Sequence, residues 1–126
     1  MAWISQVGSQ AGLQGVLAHR PSLQAKFAAF TSALEGDDVV PARLMALCRD
    51  QIEYLHGGPE PKAQALTEAE RAVLDVAALM PFEHHTITDE HIAVLKTHYG
   101  DKGVVDILAA TAFFDVQARL RRVLEV

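Results

Sequence analysis

The chain has 126 residues, 50% hydrophobic and 21% charged, with a formal net charge of −5 and a pI near 5.6. That length makes a single domain, 1–126, able to hold a core without staples. The acidic balance argues against a nucleic-acid partner, no apolar run approaches the ~20 residues that span a bilayer, and a single cysteine, Cys48, excludes an internal disulfide or an intrachain two-cysteine redox centre.

The opening Met1-Ala2-Trp3-Ile4-Ser5 lacks the basic and long apolar stretches of a signal peptide, so a cytoplasmic location is expected. Ser9 to His19 reads as a helix interrupted by Gly12 and Gly15. Pro21 suits a first helical turn, and Ser22 to Leu34 then carries Leu23, Phe27, Phe30 and Leu34 at helical spacing. After the break at Gly36-Asp37-Asp38, Pro41 opens a third helix running to about His56, where Gly57 stops it. Its apolar face is Leu44, Leu47, Cys48, Ile52 and Leu55. The stretch Gly57-Gly58-Pro59-Glu60-Pro61 divides the chain into two helical halves but is too short to separate two domains.

In the second half, Thr67-Glu68-Ala69-Glu70 is a capping box, followed by the stripe Ala69, Val73, Val76, Ala77 and Met80, with Pro81 just past the helix end. Thr88-Asp89-Glu90 caps another helix, with acids at its positive end and Ile92, Leu95 and Tyr99 facing inward. Asp101 starts the last helix, which runs to about Leu124. From Val104 to Val116 this helix is apolar nearly all round, so it is either a central core helix or one buried partly by another subunit. A homo-oligomer is expected. Apolar runs lack period-two alternation, and the fold class is therefore all-α, with about five or six helices.

Several segments follow one another in a familiar order. They are Leu17-Ala18-His19-Arg20-Pro21 with Phe27 and Phe30, then Val40-Pro41-Ala42-Arg43-Leu44 with Leu47-Cys48-Arg49. Ile52 with Leu55-His56-Gly57 comes next, and then Leu66-Thr67-Glu68-Ala69-Glu70-Arg71-Ala72. His85-Thr86-Ile87-Thr88-Asp89-Glu90 with Leu95, His98 and Tyr99 precedes a tail of Phe113-Phe114-Asp115 with Arg119. In order and spacing these resemble the carboxymuconolactone decarboxylase family, which implies an AhpD-like (alkyl hydroperoxidase D-like) helical domain. Redox-active members of that family carry a Cys-x-x-Cys pair just after the position of Leu55-His56-Gly57, and a Glu in the preceding helix. Here Gly58 and Pro59 stand where the pair would begin, Ala46 stands at the Glu position, and Thr67 follows only nine residues after Gly58. The resemblance thus implies a shortened member without the redox site; it implies no metal, and no cofactor is expected.

The candidate catalytic residues are Cys48, His56 and His85, and the candidate substrate-binding residues are Gln51, Asp115 and Arg119. Cys48, amid Leu44, Leu47 and Ile52, reads as a core residue; as a peroxidase centre it would need exposure, a cationic neighbour or helix N-terminus, and an external thiol or another subunit's Cys48. Gln51 points with the same apolar face, either to bond a neighbouring helix or to line a pocket. His56 can be assembled with Glu53 and Tyr54 into an acid–base set, although adjacent helix residues point to different sides. His84, His85 and His91 crowd together near Glu83, Asp89 and Glu90, but the i, i+4 spacing of helical zinc ligands is absent and no metal site is expected. Asp115 and Arg119 form an i, i+4 pair on an otherwise apolar helix. They either fix helix register or a subunit contact, or present an arginine, oriented by Asp115, to a lactone or carboxylate. The expected function is a non-redox enzyme or a small-molecule-binding protein. The alternatives are a peroxidase working through Cys48 and a non-catalytic oligomeric interaction subunit.

Overall fold

The computed structural model describes residues 3–37 and 39–126. Met1 and Ala2 of the opening segment, and Asp38 of the expected break, lie outside the described residues. The chain is all-α: α1 is Gly12–Leu17, α2 is Pro21–Ala33, α3 is Ala42–Leu55, α4 is Glu68–Leu79 and α5 is Asp89–Leu124, with a 3-10 turn at His84–Thr86. No strand occurs among the described residues.

Local chemistry sets most of these boundaries. Pro21 occupies the first turn of α2, where a missing N–H costs nothing. Asp37 Oδ1 accepts from the Val39 and Val40 amides at 2.8 and 2.9 Å and shapes the turn into α3. The capping box of α4 is complete: Glu70 N–H donates to Thr67 Oγ1 (3.1 Å) and Thr67 N–H to Glu70 Oε1 (3.0 Å). Arg43 of α3 donates to Glu70 Oε2 at 2.8 Å, which ties the starts of α3 and α4 together. That guanidinium, with the Thr67 amide, holds the Glu70 carboxyl below its ordinary range. At the start of α5 a histidine takes the glutamate's part in a second box, because Thr88 N–H donates to His91 Nδ1 at 2.9 Å.

α5 is broken at Gly100 (φ 68°, ψ 178°) into two arms, 89–99 and 101–124, which are the two helices read from the sequence. The core forms where α3, α4 and both arms meet. Leu44 and Ile52 of α3, Val73 and Val76 of α4, and Leu95 and Ile107 of α5 are its most buried large side chains. Burying a side chain of this kind contributes roughly 1.5–3 kcal/mol.

α2 forms close to the expected segment but lies outside the core. Its Leu23, Phe27 and Phe30 stripe builds no core: none of the residues of α2 is buried, and only Leu34, just past its end, joins the cluster. Periodicity specifies an apolar face but not what covers it. Here α2 is an outer helix, resting on the C-terminal arm through Phe113, whose ring lies 4.8 Å from that of Phe27 and 4.6 Å from that of Phe30. The C-terminal arm is accordingly covered on one face and one flank. Its outer stripe, Val105 (65% exposed), Ala112, Val116 (43%) and Val123 (56%), faces out. Among the described residues no helix is long and apolar enough to cross a membrane.

The conformation of Gly100 is essentially closed to residues with a Cβ, although an added Cβ would meet nothing within 4 Å. Gly100→Ala therefore isolates backbone strain and is expected to destabilise the protein by about 1–3 kcal/mol in urea unfolding. An unchanged midpoint would show that the arms do not bend there.

Candidate functional site

His56 is the C-terminal cap of α3, held where Gly57 takes a positive φ (93°) and turns the chain away. Its Nε2 lies 2.6 Å from Asp115 Oδ1 of α5. A carboxylate only accepts, so Nε2 carries the proton, and the neutral ring has its lone pair on Nδ1. Both side chains are largely shielded, at 9% and 16% exposure. Asp115 Oδ1 also accepts from Arg119 Nε at 2.9 Å. Arg119 Nη2 donates in turn to the Pro81 carbonyl at 2.7 Å, and its guanidinium sits 5.2 Å from the centre of the Phe82 ring. The Phe82 ring packs 5.0 Å from His56. Asp115 thus gathers the end of α3 and, through Arg119, the segment after α4 around one oxygen.

His56 is also one wall of an open cleft of about 640 Å³ between the ends of α3 and α5, lined by Glu53, Gly57, Arg121, Arg122 and Glu125 among others. Arg121 donates to Glu53 at 3.1 Å. Arg122 forms no hydrogen bond or ion pair among the described residues. Its guanidinium lies over Gly57, close enough that a Cβ there would come within 3.2 Å of Nη1. The positive φ calls for glycine at 57. The cleft therefore combines a fixed imidazole with a guanidinium that is uncommitted among the described residues, a pairing suited to holding a carboxylate and moving a proton near it.

The other candidates separate. Gln51 does not bond a neighbouring helix: it is half-buried, makes no hydrogen bond among the described residues, and lines a second cavity of about 530 Å³ between α3 and α4. Cys48 lies in the core at 1% exposure, and burial pushes its thiol up to about 12, so the thiolate that peroxidase chemistry requires is scarce at neutral pH. His85 is exposed in the 3-10 turn beside His84, with ring centroids 6.0 Å apart, and lines neither cavity. His91 is committed to its helix cap. Among the described residues no group of three or more His, Cys, Asp or Glu is placed to hold a metal ion.

Of the two expectations for Arg119, an ion pair with Asp115 or an anion-binding arginine, the geometry has the pair: Arg119 is committed to Asp115 and Pro81, whereas Arg121 and Arg122 line the cleft. The spacing from Asp115 to Arg122, two helical turns, was the available signal for Arg122; Pro81 and Phe82 offered none. Glu53 joins His56 at the cleft because i, i+3 residues share a helix face, while Tyr54 points out at 42% exposure. No protein-family model, curated protein or solved structure matches this chain.

The burial of Cys48 predicts its reactivity. A chromogenic disulfide should titrate no thiol in native protein within minutes and one thiol per chain after denaturation. Fast native labelling would return the single-cysteine peroxidase to consideration.

Proposed function

We propose that the chain is a carboxymuconolactone decarboxylase-like, AhpD-like helical protein without a redox site, which binds a small carboxylate-bearing molecule beside His56. The reading rests on one observation above the others: His56 is fixed by Asp115 at 2.6 Å on the wall of the cleft that holds Arg122. In this reading Arg122 takes the ligand's carboxylate, by a charge-assisted bond worth roughly 1.5–3 kcal/mol. His56 accepts a proton at Nδ1, and Asp115 stabilises the imidazolium that forms, as it also selects the tautomer beforehand. Arg119 is a positioning residue, holding Asp115 in place. The order of the family-like segments supports the family assignment, and the Gly58-Pro59 replacement and the burial of Cys48 support the loss of redox chemistry.

Calorimetric titration with acetate, succinate and inorganic phosphate tests the reading. At least one carboxylate should bind, and Arg122→Ala should weaken it about tenfold or more without lowering the melting temperature. The absence of carboxylate binding, or binding indifferent to Arg122→Ala, contradicts it.

A second observation favours self-association. The stripe Val105, Ala112, Val116 and Val123 on α5 is apolar and uncovered in the single chain, beside the half-exposed Phe30 of α2. Sedimentation equilibrium should give an oligomer that Val105→Asp with Val116→Asp converts to monomer. A monomeric wild-type chain would rule this out.

A further inference from the structure

The cavity of about 530 Å³ between α3 and α4 takes no part in the reading above, and its size falls within the range of small-molecule sites. We propose that it is a second binding site, for a small amphipathic molecule with an ammonium head and a short apolar tail. Three leucines supply the apolar part of its wall: Leu47 from α3, Leu74 from α4 and Leu66 from the segment between them. Leu66 and Leu74 are only half-buried, so a tail laid on them removes further apolar surface from water.

The polar lining selects the head. Asp50 and Glu60 bring carboxylates that form no ion pair among the described residues, against the single ammonium of Lys62. Glu53, which also lines the cavity, is engaged by Arg121. A carboxylate head would face this acidic excess, whereas an ammonium head reduces it. Gln51 adds a half-buried amide with no hydrogen bond among the described residues, whose carbonyl oxygen can accept from an N–H donor. Cavity, apolar wall, charge balance and amide together point to one ligand class. The site shares Glu53 with the His56 cleft, but neither His56 nor Arg122 lines it.

The full chain titrated with n-hexylammonium, n-hexanol and n-hexanoate tests the proposal, read by NMR at the Leu66 and Leu74 methyls and the Gln51 side-chain amide. Hexylammonium should give saturable shifts at all three residues, hexanol weaker ones, and hexanoate none at the same concentration. Asp50→Asn with Glu60→Gln, both at exposed positions, should weaken hexylammonium about fivefold. Leu74→Trp should fill the space and abolish the shifts, and Arg122→Ala should leave them unchanged. Equal or tighter hexanoate binding, hexylammonium shifts confined to other residues, or no saturable shift overturns the proposal. So does hexylammonium binding untouched by the double carboxylate substitution.

Discussion

Asp115 sits at the edge of the buried face of α5, where a carboxylate removed from much of its water has to find donors. It finds two, the His56 imidazole and the Arg119 guanidinium, both on one oxygen. Because His56 caps α3 and Arg119 also binds the carbonyl of Pro81, this single carboxylate fixes three parts of the chain relative to one another. Removing it would leave two half-shielded donors without their acceptor, a loss on the order of 1–3 kcal/mol. The hydrophobic core brings α3, α4 and α5 together; Asp115 decides how their ends meet.

That arrangement divides the work among the arginines. Arg119 is spent on holding the carboxylate and Arg121 on Glu53, whereas Arg122, with no ion pair among the described residues, lies over a glycine at the cleft wall. The imidazole inherits its tautomer from the same carboxylate. A histidine that is fixed, largely shielded and set beside a guanidinium with no ion pair among the described residues is a different device from a buried cysteine, and the chemistry proposed for it is proton transfer beside a bound carboxylate.

Much of the fold was legible because its signals are local. Thr67 with Glu70, Thr88 before its helix, and Asp101 at the start of the last one mark boundaries through local chemistry, and the structure places them as read, with the break at Gly100. The stripe on α2 was legible as an apolar face, but its covering was not, since that depends on packing that no single helix encodes. The site was legible in part. Asp115 and Arg119 stand out as an i, i+4 pair, but His56 meets Asp115 across 59 residues and Glu53 meets Arg121 across 68, separations with no signature in one sequence. His91, crowded in sequence with His84 and His85, has a local role instead: three residues after a capping threonine, it is part of the cap.

The claim on which the account turns is that Asp115 sets the His56 ring with its proton on Nε2 and its lone pair on Nδ1. A long-range ¹H–¹⁵N correlation spectrum of the imidazole nitrogens reads this directly. The account predicts the Nε2–H tautomer for the neutral ring, and a shift toward a mixture of tautomers in Asp115→Asn. An Nδ1–H ring in the wild type, or a spectrum that Asp115→Asn leaves unchanged, would contradict it.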